Sequence, residues 1–402
     1  MINCRKINNI NVITDLNSND KLISVSYVIN VGSYNEDESN IGISHLVEHL
    51  LFKGTVSKNS KEINKYIEKL GGSMNAYTSY EETQYFCTVP SKYWKEAINF
   101  INDLIFYCTI PEEEFELEKN VVLNELRMYD DDPSSICKDN LFKLIFHNDK
   151  TKQLVGGTVE TVKNITRENV IEYIRNNYIN SNIDIIISGN INDNVDNLYK
   201  YIEEITPELQ EFRSNINKEE FNFELKDKNI VDYKEDMYQS ILNWGIIGPN
   251  KNDEDYIPFM ILSNYLGGNA SSKLYTEVRE NLGLVYAIKV GIENFSNYSI
   301  MTGFTSLEKE NIKKVQDIIN YEFNNIKINQ ELLEDNINYL IGETLMELEK
   351  TIDRNLFLTD HKINDYEDYI NKIKKVTLND VERVIKRYFK NPVIYYSSVM
   401  SK

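Results

Sequence analysis

At 402 residues and 41% hydrophobic content, the chain is long enough for two or more domains and too apolar to be disordered. Its 63 acidic against 44 basic residues give a net charge of −19, which argues against nucleic acid or an anionic membrane as the main partner. No apolar run approaches the ~20 residues that span a bilayer, and the opening Met1-Ile-Asn-Cys-Arg-Lys-Ile7 has no signal-peptide core. Cys4, Cys87, Cys108 and Cys137 are scattered without Cys-x-x-Cys spacing, so they read as reduced thiols and the expected location is the cytosol.

The first clear element is a β-rich run from Leu22 to Val31. A helix follows in Ile43-Ser-His-Leu-Val-Glu-His-Leu-Leu-Phe-Lys-Gly54, with Leu46, Leu50 and Leu51 at apolar spacing and Gly54 as its stop. Within it lies His45-x-x-Glu48-His49. Residues four apart share a helix face, so His45 and His49 can reach one metal ion while Glu48 leans over the same spot. Neutral imidazoles suit zinc, and a nearby carboxylate can take a proton from water. A chain of this composition, with four histidines, would show the pattern by chance only about 0.006 times.

Further along, Lys61 to Leu70 reads as a helix ending at Gly71-Gly72, and Ala76 to Val89 as a strand. Tyr93 to Phe106 and Pro111 to Met128 read as helices, the second opening with proline in its first turn. Catalytic zinc needs a third protein ligand. By residue type, His147 and His361 are open choices. So are the carboxylates of Glu118 and Glu125, two turns apart on a helix that Val121, Val122 and Leu123 mark as buried.

The two ends of the chain echo each other. Ile165-Thr166 opens a helix reaching Tyr178, followed by a strand from Ile183 to Ser188, and Val376-Thr377 opens another reaching Phe389, followed by Val393 to Val399. Thr166 and Thr377, 211 positions apart, are the expected N-caps. Tyr27 to Gly32 likewise matches Trp244 to Gly248 in position. The expectation is an α+β protein of two related α/β-layered domains in tandem. Residues 1–212 form the metal domain, 213–228 a charged linker, and 229–402 a related domain without the motif. In that second domain Phe259-Met-Ile-Leu-Ser-Asn-Tyr-Leu266 carries no histidine or acid.

The motif and its neighbours resemble the insulinase-like family of inverted zinc metallopeptidases, which includes pitrilysin and the mitochondrial processing peptidases. The resemblance rests on Gly42 through Thr55, on Gly71-Gly-Ser-Met-Asn-Ala-Tyr-Thr78, and on Glu118 through Glu125, where Glu125 follows His49 by 76 positions. It continues in Leu266-Gly-Gly-x-x-Ser-Ser-Lys-Leu274 and Arg279-Glu-Asn-Leu-Gly-Leu-Val-Tyr286, so it covers nearly the whole chain. It implies that His45, His49 and Glu125 hold zinc, that Glu48 is the general base, and that Glu118 orients a ligand. It further implies that Asn75, Ala76, Tyr77 and Thr78 bind a peptide as an added strand, and that Arg279 and Tyr286 reach toward that peptide. The implied protein is a zinc endopeptidase or oligopeptidase acting on short or unfolded peptides, working as a clam-like homodimer. The alternatives are the catalytic half of a heterodimer and a non-catalytic assembly subunit.

Overall fold

A computed structural model describes residues 2–146, 154–207, 209 and 228–402. Eleven strands among these residues form two mixed sheets. The first contains β1 (Ile2–Ile7), β2 (Ile10–Leu16), β3 (Leu22–Ile29), β4 (Ser73–Thr78), β5 (Thr83–Pro90) and β6 (Ile183–Gly189), in the order β1-β2-β6-β3-β5-β4. The second contains β7 (Asn229–Lys234), β8 (Ser240–Gly248), β9 (Val285–Asn294), β10 (Ser299–Leu307) and β11 (Tyr395–Ser401), in the order β7-β11-β8-β10-β9. Each sheet has one parallel pair, β2 with β6 and β7 with β11, and its other pairs are antiparallel. Apart from β1, the two sheets have the same strand order and directions, so the repeat read from the sequence is a repeat of topology.

The N-terminal helices are α1 (Ile43–Leu51), α2 (Ser60–Lys69), α3 (Trp94–Phe106), α4 (Glu112–Asp131) and α5 (Pro133–Ile145). Strand alternation sorts the first sheet's faces. Val25, Tyr27 and Ile29 join Leu46, Leu50, Ala97 and Ile101 of α1 and α3 in one buried core. On the opposite face, Val28 and Ile186 pack against Leu358 of the helix Thr351–His361. That helix is fixed by polar contacts as well. Asn355 Nδ2 donates to the carbonyls of Ser24 (3.1 Å) and Ile186 (2.9 Å), and Ser26 Oγ donates back to its Oδ1. Arg354 Nε donates to Asp15 at 2.8 Å, and its other arm pairs with Asp20.

The compact units are therefore not contiguous in sequence. One gathers Met1–Arg127, Gln153–Glu220 and Leu345–Tyr366, the other Met128–Lys152, Phe221–Thr344 and Glu367–Lys402. The expected division at 212 and 229 differs from this because each sheet takes one covering helix from the other half of the chain. Helix Thr351–His361 lies on the first sheet. α5 lies on the second, where Cys137 Sγ donates to the Ser397 carbonyl at 3.2 Å. Helical periodicity tells which face of a helix is apolar, not which sheet that face will meet. Linker residues 213–227 lie outside the described residues.

Local differences from the expected elements have local causes. The run from Ala76 to Val89 is a hairpin, β4 and β5, because the Ser79 hydroxyl accepts the backbone N–H groups of Glu81 and Glu82 and turns the chain. α1 ends at Leu51, three residues before Gly54. The last helix is α-helical over Leu378–Val384 and then widens into a π-turn over Ile385–Phe389. Val122 and Leu123 of α4 are buried as expected, but Val121 is half exposed. Thr166 and Thr377 are both N-caps, each closed by a reciprocal side-chain bond from Asn169 or Asp380.

Candidate metal centre

α1 buries Leu46, Val47, Leu50 and Leu51 and turns His45, Glu48 and His49 the other way. Its N-terminus is clamped by a residue that the sequence reading missed. The buried carboxylate of Glu36 accepts the backbone N–H of Gly42 at 2.7 Å and of Ser44 at 2.8 Å, taking two of the helix's orphan donors. Burial pushes Glu36 up to about 7 in spite of those bonds. Gly42 sits at φ +93°, and a Cβ there would lie 2.5 Å from the Gly156 carbonyl oxygen, so only glycine fits. Ser44 Oγ and the Tyr173 hydroxyl, 2.8 Å apart, add a side-chain tie to the helix Arg167–Asn177.

α4 runs alongside and supplies the carboxylates. Glu118 and Glu125 lie two turns apart on it, and both face α1. The Nε2 atoms of His45 and His49 are 3.2 Å apart. Glu125 Oε2 lies 3.4 Å from His49 Nε2, and its Oε1 lies 3.9 Å from His45 Nε2. Among the described residues these three form the group able to hold a metal, with ligand atoms all within 4.8 Å of one another. Ligand atoms at the corners of a zinc tetrahedron with bonds near 2.0–2.1 Å lie ~3.3 Å apart, so the observed spacings fit that ion. The protonation states fit too. Burial, helped by His49, pulls His45 down to about 4, which leaves it a neutral donor.

His49 is held from behind. Its Nδ1 lies 2.9 Å from Glu118 Oε1, and the other Glu118 oxygen accepts Lys53 Nζ at 2.6 Å. Burial works to raise Glu118, but the bonds from His49 and Lys53 win and keep it below the usual carboxylate range. Burial also works to lower His49. The Glu118 bond and the surrounding carboxylates outweigh it, so the net shift is upward. Glu48 accepts a 2.6 Å hydrogen bond from the Thr78 hydroxyl, and burial raises its pKa against that bond.

Thr78 belongs to β4, the edge of the first sheet, which among the described residues pairs only with β5. Along β4, the Tyr77 hydroxyl donates to Glu82 at 3.0 Å and the Ala76 N–H donates to the Asn75 side chain at 2.9 Å. Arg279 and Tyr286 belong to the second unit and meet there: Arg279 Nε donates to the Tyr286 carbonyl at 3.1 Å, and the guanidinium pairs with Glu280. The Tyr286 ring is 83% exposed at the start of β9. Of the other histidines weighed as ligands, His361 packs edge-on against Phe357 at 4.1 Å, and His147 lies outside the described residues.

Two family profiles together match most of the chain. The profile of insulinase, peptidase family M16, matches residues 11–159, and that of the peptidase M16 inactive domain matches residues 164–340. The chain belongs to the M16 peptidase family. A Bacillus subtilis relative described as the uncharacterized zinc protease YmxG is 28% identical over 393 residues, covering 95% of this M16 chain and 94% of the relative. A Rickettsia felis relative, also described as an uncharacterized zinc protease, is 27% identical and covers 77% and 74% of the two chains. In fold, the M16 chain is similar to a protease from Helicobacter pylori, with a TM-score of 0.87 at 21% identity and 100% and 99% of the two chains covered. It is also similar to a Pseudomonas fluorescens structure described as a peptidase M16 inactive domain, with a TM-score of 0.88 at 17% identity and 100% and 98% covered. No helix among the described residues is long and apolar enough to cross a membrane.

Proposed function

We propose that the chain is a zinc-dependent endopeptidase or oligopeptidase that hydrolyses peptide bonds in short or unfolded peptides. The observation that carries this reading is the meeting of His45, His49 and Glu125 within 4.8 Å, with Glu48 on the same helix. His45, His49 and Glu125 would hold the metal. Bound there, zinc would polarise the scissile carbonyl and make water acidic enough to lose a proton near neutral pH. Glu48, raised by burial, is a proton acceptor that can take the water's proton and hand it to the departing amine. The Thr78 bond fixes which way its carboxylate points.

The open edge of β4 over Asn75, Ala76, Tyr77 and Thr78 offers main-chain hydrogen bonds to an extended peptide, and such binding tolerates many sequences. Arg279 and the exposed phenol of Tyr286 are the proposed donors to a peptide carbonyl as negative charge builds on its oxygen. The proposed working form is a cytoplasmic homodimer. The second reading, a non-catalytic assembly subunit, calls for a broken site, whereas all four residues stand intact here. Incubation of the purified protein with a mixed peptide library, with and without a chelator, tests the proposal by mass spectrometry. Cleavage that a chelator stops and zinc restores is the expected result. Chelator-insensitive cleavage, or none at all with zinc bound, would refute it.

A further inference from the structure

His45, His49 and Lys53 are each four residues apart, so the stripe that carries the two imidazoles continues past the end of α1 to an ammonium. The Lys53 N–H still bonds the Leu50 carbonyl at 3.0 Å, so the backbone keeps a helical turn and aims the side chain along that stripe. Its target is not a surface acid. Glu118 is 7% exposed, and it uses one oxygen on His49 Nδ1 at 2.9 Å and the other on Lys53 Nζ at 2.6 Å. With both oxygens engaged, the carboxylate cannot rotate without losing one bond. His45, by contrast, has its Nδ1 buried with no hydrogen-bond partner among the described residues, so the polar hold on an imidazole seen here is at His49.

A histidine that gives Nε2 to a metal is neutral, which leaves Lys53 as the formal cation facing buried Glu118 among the described residues. We infer that Lys53 is a positioning residue for the metal site: it locks Glu118 against His49 Nδ1–H and so presents Nε2 in the tautomer and direction a metal requires. The ordinary alternative is a lysine that complements the helix C-terminus and serves stability alone.

This inference rests on the zinc-site reading, and the test separates the two. Zinc affinity of the full chain is measured by competition with a chromophoric chelator, for the parent, Lys53→Met, Lys53→Arg and Glu118→Gln. Losing an outer partner of a ligating histidine costs about 10–100-fold in metal affinity. Lys53→Met is expected to lose about that much, together with Glu118→Gln, while Lys53→Arg recovers most of it. Lys53→Gln, which keeps a donor without the charge, serves if Lys53→Met does not fold. Nitrogen-15 shifts of His49 in the metal-free parent should show Nδ1 protonated. Parent-like zinc affinity in Lys53→Met and Lys53→Gln, with Glu118→Gln weakened, overturns the inference alone. A parent that binds no zinc overturns the metal-site reading and this inference with it.

Discussion

The two units share a sheet topology and differ in what they build on it. In the first, the helix after the long central strand carries His45, Glu48 and His49, and it is tied to α4 by the His49–Glu118 bond at 2.9 Å. In the second, the corresponding helix, Tyr256–Ser263, is apolar and runs into a π-turn over Asn264–Gly268. There a buried amide pair makes the tie, with Asn264 Nδ2 donating to Asn336 Oδ1 of the helix Gln330–Glu347 at 2.8 Å. Both pairs satisfy buried polar groups and hold two helices in register. Among the described residues, the first alone sets an imidazole nitrogen, His49 Nε2, beside a second histidine and a carboxylate. The frame is common to both units, and the proposed chemistry rests on a few side chains set upon it.

The largest effect is expected from turning part of the first unit into the second. His49→Asn keeps a polar partner for Glu118 but removes a metal donor. The variant should fold, keep no zinc through dialysis, and lose peptide cleavage by at least ~10²-fold. Metal analysis beside a peptide assay checks it, and retained zinc would mean that the ligand set has been misread.

A second contrast lies in how each unit pairs its buried carboxylates with arginine. Among the described residues Arg354 is the cation paired with both Asp15 and Asp20 in the first unit, with the Tyr366 hydroxyl also donating to Asp15, whereas Arg383 and Arg387 share buried Asp255 in the second. Arg354→Met leaves two carboxylates without their cation and should cost about 3–5 kcal/mol in urea unfolding. Arg387→Met should cost less, because Arg383 still holds Asp255. Equal losses would show that the number of partners does not matter here.

The smallest expected effect concerns the start of each metal-side or metal-free helix. Asp255 has two arginines, while Glu36 has backbone N–H groups and the Ser44 contact. Burial raises Glu36 to about 7. An acid whose folded pKa exceeds its unfolded one binds more protons when folded. Its contribution is therefore greatest below the unfolded carboxylate range and is lost as pH rises through about 7. Thermal midpoints of the parent should fall more between pH 5 and pH 8 than those of Glu36→Gln. Parallel curves would remove Glu36 from the pH response.

The sequence made the metal helix legible because His45, Glu48 and His49 need only the 3.6-residue period to be brought together. Glu125 needed the family resemblance, since no local rule says which distant helix will face α1. The capped helices at Thr166 and Thr377 were readable because an N-cap is a local device. The exchange of α5 and Thr351–His361 between sheets was not, because it depends on long-range packing. The contacts of Glu36 and Lys53 have the same tertiary origin: their partners come close only when the backbone folds. The hairpin of β1 and β2 was missed although Asn8 and Asn9, both at positive φ, are the residues such a turn prefers.

The role of Glu48 is tested most directly by peptide cleavage with Glu48→Gln protein shown to carry one zinc per chain. This change keeps the helix, the ligands and the size of the side chain, and it removes the proton acceptor. The expected rate is lower by ~10²–10⁴-fold with zinc content unchanged. Cleavage at the parent rate by the zinc-loaded variant would contradict it.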